Sequence, residues 1–271
     1  MREMSIFWLR VAVVMYAAGL LQAVWTVLAR RSRWFGPAMG AFLVGAVLHT
    51  VSVVERTRLL GHLPVENFFN TASLCALVLA AAFLFLNWVY RFESLGVFLF
   101  PLVFVLALFG SMSEPVESWT NTRVRDAWLV AHIVLVLMAY AALVMTAVAS
   151  IFYLIQERNL KLKSTSKLFE RLPPLVTLDS VITKAMGVGF LLITLGTVIG
   201  LIWAFITSGT RWVGEGRVVI SLITWALCLV MVFLRTSAGW RGRKAALLAI
   251  VIVGCSAVTW AAHVGLRPAL Q

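Results

Sequence analysis

The chain has 271 residues, 62% of them hydrophobic, a mean hydropathy of +0.96 and a formal net charge of +12. Apolar content this high, in repeated long runs, excludes a water-soluble domain and predicts an all-α polytopic membrane protein with lipid as its main solvent. The positive charge sits in short connections between the runs, where it meets lipid headgroups, and no motif points to nucleic acid.

The runs predict eight spans. The first covers about Phe7 to Ala29 and closes on Arg30, Arg31 and Arg33. No small-residue cleavage site follows its apolar run, so it reads as a retained span and not as a signal peptide. The second covers Gly36 to Val54, and the polar connection ERTRLLGHLPVENFFN follows. The third covers Thr71 to Tyr90 and the fourth Ser94 to Met112. After SEPVESWTNTRVRD comes the fifth, Ala127 to Gln156. The longest connection, Glu157 to Lys184, is basic and holds Pro173-Pro174. The sixth covers Ala185 to Thr207, the seventh Val218 to Leu234 and the eighth Lys244 to Leu266.

No segment outside the runs is long enough to bury a core of its own, so a single integral membrane domain, 1–271, is expected. The larger share of the 23 Lys and Arg residues falls in the odd-numbered connections. By the positive-inside rule, connections one, five and seven are cytoplasmic and both termini lie outside. The basic loop 157–184 is then cytoplasmic and the loop 208–217 lies on the outer side. Cys75, Cys228 and Cys255 lie inside apolar runs, without C-x-x-C spacing, and read as small packing residues.

This topology places all four histidines toward the outer face. His132 is near the start of the fifth span and His263 near the end of the eighth. His49 lies in the outer half of the second span and His62 in the second connection. An imidazole at membrane depth must find a partner. His132 and His263, on different helices, can ligate a haem iron from its two faces. Each can equally hydrogen-bond a neighbouring helix. Ser256, Thr259 and His263 share one face of the eighth span. Ala139 and Leu143 share the His132 face of the fifth, where room for a flat ligand is expected.

Arg56, Arg58, Arg123, Arg125, Arg211 and Arg217 lie in outer connections. A guanidinium suits a haem propionate, and it is equally an ordinary interfacial charge. Trp203 and Trp212 can pack on a porphyrin or anchor the membrane interface. Gly36-x-x-x-Gly40 and Gly196-x-x-x-Gly200 read as close helix packing and not as chemistry. No phosphate loop, nucleophile elbow or H-E-x-x-H occurs, so no catalytic residue is assigned. No inverted repeat or charged broken helix supports a small-molecule transporter.

The stretch Leu195 to Arg235 carries a family resemblance. Trp203-Ala204, Gly209 and Trp212, then Ser221-Leu222-Ile223-Thr224-Trp225, follow the order W-A-x-x-x-W-G-x-x-W-x-W-D-P-K-E and S-L-I-T-W. This resembles the haem-handling membrane proteins of cytochrome c assembly, the CcsA/CcmC/HemX type. Gly61-His62-Leu63-Pro64-Val65-Glu66-Asn67 is similar to the family's G-H-x-P-x-x-N segment. His132 in WLVAHIVLVLMAYAA and His263 fall on its fifth-core-helix and last-span histidines, and coverage runs from about residue 45 to 266.

The chain departs from the pattern at Ser208, Gly214, Glu215 and Gly216-Arg217-Val218. Phe233 stands where many CcsA members have an inner histidine. The resemblance implies haem b held at the outer face, with His132 and His263 as axial ligands. Trp203, Trp212, Arg211 and Glu215 would line the site. A CcsB-type membrane protein and apocytochrome c would be partners, in a bacterial inner membrane. It implies a haem-delivery protein rather than an enzyme, or, with the loop so altered, a HemX-like factor tied to tetrapyrrole synthesis that holds no stable haem.

Overall fold

In lipid an apolar segment must pair every backbone N–H and C=O within itself, so each run in this sequence closes into a helix. The computed structural model describes residues 2–28, 35–65, 68–90, 95–112, 127–162, 173–208 and 216–265. Eight helices follow in order: α1 (Arg2–Leu28), α2 (Phe35–Leu60), α3 (Phe68–Tyr90), α4 (Gly96–Ser111), α5 (Ala127–Lys161), α6 (Leu175–Ser208), α7 (Gly216–Thr236) and α8 (Arg243–Gly265). The expected all-α polytopic class is what the chain adopts.

Six helices (α1, α2, α3, α5, α6 and α7) are long and apolar enough over their described residues to cross a membrane. At 16 residues, α4 spans about 24 Å at 1.5 Å per residue, short of the roughly 30 Å hydrocarbon core. The side chains of α8 are described only to Thr259.

The end of α5 and the start of α6 differ from expectation for one physical reason, and so do the start of α1, at Arg2, and the end of α2, at Leu60. Charged and polar residues at the end of α5 and the start of α6 read as connection, yet they continue the helices. Residues of 157–161 and 175–184, expected in the basic loop 157–184, are helical, and the connection narrows to 162–174. Pro174 sets the start of α6. Its carbonyl accepts from Thr177 N–H at 2.9 Å and Leu178 N–H at 3.1 Å, where a helix start tolerates proline.

The helices group into two compact units, residues 1–124 and 125–271, where one integral domain was expected. In the first unit an aromatic cluster draws in all four helices. Phe42 of α2 stacks on Phe100 of α4 with ring centroids 4.3 Å apart. Phe83 of α3 meets both rings edge-on at 5.5 Å, and Tyr16 of α1 lies 5.0 Å from Phe42. All four side chains are fully buried.

Beside this cluster stands His49, fully buried, with Nε2 2.8 Å from Ser73 Oγ of α3 and Nδ1 3.4 Å from the Tyr16 hydroxyl. The neutral ring donates through one nitrogen and accepts through the other, which meets the demand of a polar group out of reach of water.

The second unit is a four-helix ring. Polar contacts join α6 to α7 (Trp225 Nε1–H to Thr194 Oγ1, 3.0 Å) and α7 to α8 (Thr224 to Thr259 hydroxyls, 2.7 Å). Where the end of α7 meets the start of α6, the buried Arg235 of α7 donates to Asp179 Oδ1 at 2.7 Å, to the Asp179 carbonyl at 2.9 Å and to Thr183 Oγ1 on α6.

Candidate functional site

The site is built on the antiparallel seam between α5 and α6. Three glycines of α6 face three residues of α5 in strict step. A Cβ at Gly189 would meet Leu143 at 3.3 Å, one at Gly196 would meet Val136 at 2.9 Å, and one at Gly200 would meet His132 Cε1 and Nδ1 at 2.6 Å. Each advance along α6 is matched by an equal retreat along α5, so the two helices run side by side without a slip in register. The glycines are there because a side chain at these positions would push the helices apart.

This seam places His132. Its Nδ1 lies 2.7 Å from the Gly196 carbonyl. A carbonyl can only accept, so Nδ1 carries the proton and donates it. In the neutral ring, Nε2 is then the nitrogen with the lone pair. The ring rests against Gly200, partly buried. Gly196-x-x-x-Gly200, expected to serve packing alone, therefore also supplies the polar partner of a candidate ligand.

The room expected beside Ala139 and Leu143 is not there. Both side chains are fully buried, and Leu143 is packed on Gly189.

Register places His263 at the same end of this unit. Tyr153 of α5 touches the start of α8, where a Cβ on Gly242 would stand 3.0 Å from its hydroxyl. From that anchor the stretches 132–153 and 242–263 are equally long, about 31 Å each at 1.5 Å per residue. The two helices are antiparallel neighbours, so His132 and His263 sit at one level. Ser256 and Thr259 are buried, and Thr259 bonds α7. His263 follows four positions on along α8.

Trp203, half-buried, shares the α5-facing stripe with Gly196 and Gly200, one turn nearer the end of α6. Arg211, Trp212 and Glu215 lie outside the described residues. His49, with both ring nitrogens bonded inside the first unit, is a packing residue. His62 follows Gly61, whose φ of 74° favours glycine, and its Nδ1 lies 3.0 Å from the Leu63 carbonyl. Sequence reasoning missed the part of the Gly196 carbonyl, because a backbone acceptor has no residue type to notice. It also missed the Asp179–Arg235 pair, since Asp179 was read as part of a loop.

Residues 39–260 match the protein family described as Cytochrome C assembly protein. The cytochrome c biogenesis protein CcsA of Prochlorococcus marinus (strain MIT 9312) is 26% identical over 236 residues, covering 77% of this chain and 76% of its own length. That of Microcystis aeruginosa (strain NIES-843 / IAM M-2473) is 25% identical over 255 residues, covering 76% and 77%. That of Chlamydomonas reinhardtii is 27% identical over 217 residues, covering 77% of this chain and 60% of the relative.

Proposed function

The chain belongs to the cytochrome c assembly protein family, and on that premise we propose that it binds haem b at the outer membrane face and presents it to apocytochrome c. The observation that carries the reading is the bond from His132 Nδ1–H to the Gly196 carbonyl at 2.7 Å. Metal-binding imidazoles characteristically donate their second N–H to a carbonyl or carboxylate, which fixes the tautomer and raises the basicity of the ligating nitrogen. His263, at the same level along α8, would be the second iron ligand. His132 and His263 would hold the haem iron through their ring nitrogens, and the iron would supply the site's Lewis-acid centre.

The rest is the work of the chain. By the family resemblance, Trp203, Trp212 and Glu215 would line the site. Arg211, by the same resemblance, would pair a propionate through its forked N–H donors. The buried Thr224–Thr259 and Trp225–Thr194 bonds hold α6, α7 and α8 together beneath. A CcsB-type membrane protein and apocytochrome c are the partners, and the bacterial inner membrane, with its lipid, is the setting. The chain binds and orients its cargo.

Removal of the gene tests the reading. C-type cytochromes, detected by covalently bound haem after denaturing electrophoresis, should disappear, and a His132→Ala copy should fail to restore them. A second reading follows from Gly214, Glu215 and Phe233, which depart from the CcsA pattern. A HemX-like factor would alter haem-precursor levels and leave those cytochromes intact, and that outcome would displace the delivery reading.

A further inference from the structure

We propose that Gly196 and Gly200 of α6 are positioning residues for His132: the Gly196 carbonyl selects its tautomer, and the bare Cα of Gly200 is the slot that lets the ring reach that carbonyl. The inference rests on the reading of His132 as an iron ligand.

Three observations lead to it. First, the Gly196 carbonyl lies within α6, where such a group ordinarily accepts from the N–H four residues on. Here it also lies 2.7 Å from His132 Nδ1, and a carbonyl oxygen has two lone pairs with which to serve both. Second, the approach is allowed only because position 200 has no side chain. A Cβ there would stand 2.6 Å from both Cε1 and Nδ1, closer than real contacts allow, and the ring would have to move. Third, the same seam offers an internal comparison. A Cβ at Gly189 meets the flexible end of Leu143 at 3.3 Å, so that glycine serves packing without touching the histidine.

The consequence is chemical. With Nδ1–H bonded to a carbonyl, Nε2 faces the ligand as the lone-pair nitrogen, and the bond makes it more basic. A displaced ring loses both its fixed tautomer and its extra basicity. A more basic axial nitrogen favours ferric over ferrous iron, so loss of the bond raises the haem midpoint potential. A tenfold loss of that preference corresponds to about 59 mV for one electron.

The test compares purified wild-type protein, Gly200→Ala, Gly189→Ala, His132→Ala and His132→Gly, each loaded with haem. Haem affinity, oxidised and reduced spectra and midpoint potential are measured, with far-ultraviolet helix content as the check on folding. Gly200→Ala is expected to keep its helix content, to bind haem ~10–100-fold more weakly and to have a raised potential. Gly189→Ala is expected to match wild type. Added imidazole should restore six-coordinate spectra to His132→Gly.

If Gly200→Ala and Gly189→Ala shift affinity and potential alike, the seam serves packing only and the proposal falls. It also falls if Gly200→Ala is spectrally wild type while His132→Ala loses the haem bands, and there the ligand reading stands. If His132→Ala itself keeps the wild-type spectrum, the ligand reading has failed, and the positioning proposal with it. Should Gly200→Ala fail to fold, His132→Gly loaded with imidazole or with 1-methylimidazole, which has no N–H to donate to the Gly196 carbonyl, replaces it; a higher potential with 1-methylimidazole is expected, and equal potentials overturn the proposal.

Discussion

At the residue scale the contrast between His132 and His49 carries the argument. Both imidazoles are set among apolar helices, and the sequence shows that much. His49 is fully buried and has a side-chain partner on each ring nitrogen, Ser73 and Tyr16. His132 has one nitrogen bonded to a backbone carbonyl and sits near the end of its helix. The first arrangement closes an interior and the second leaves one nitrogen to be used. His49→Ala strands a buried hydroxyl on either side, at about 1–3 kcal/mol each. Its thermal midpoint in detergent should fall while haem bound per folded protein stays at the wild-type level; a loss of haem with an unchanged midpoint would contradict this. Gly110→Ala probes the same spot, since its Cβ would stand 2.6 Å from Ser73 Cβ. Overpacking there should cost about 1–3 kcal/mol, read from the same melting curve.

At the scale of elements, the register of α5 on α6 does most to place the site. The helices themselves were legible, because runs of this length and hydropathy have one solution in lipid. Their pairing was not, because a glycine step on one helix gives no sign of which residue faces it until the partner and its register are known. The ends of α5 and α6 were misread for a related reason. Polarity marks where a chain leaves the hydrocarbon, and a helix can continue past that point. The Arg235–Asp179 pair lies in this region. Side-chain exposure is 6% for Arg235 and 22% for Asp179. Removing one partner of a buried pair leaves the other charge uncompensated, at about 3–5 kcal/mol. Asp179→Ala should therefore destabilise the second unit strongly in detergent unfolding, and Asp179→Glu should recover part of the loss. Equal stability of Asp179→Ala and wild type would show the pair to be solvated.

At the scale of the whole molecule, the helices group into two four-helix units. Composition could not show the division, since both units are equally apolar and differ in which helices meet. Sidedness was readable only as a charge bias, and it makes a direct prediction. Leu162, 66% exposed at the end of α5, belongs on the cytoplasmic side, and the exposed Gly216 at the start of α7 on the outer side. A membrane-impermeant maleimide should label Leu162→Cys only in inverted vesicles and Gly216→Cys only in intact cells. The opposite pattern would put His132 and His263 on the cytoplasmic side. Of the candidate site, the two histidines and Trp203 were legible as polar or aromatic groups in apolar runs. The acceptor that fixes His132 was not, because it is backbone.

The central claim is that His132 and His263 form a haem site, and an absorption spectrum tests it most directly. Detergent-purified protein should show a Soret band and, after dithionite reduction, sharp α and β bands, both absent from the His132→Ala, His263→Ala double variant. A colourless wild-type protein expressed with haem precursor supplied, or a double variant with unchanged bands, would contradict the account.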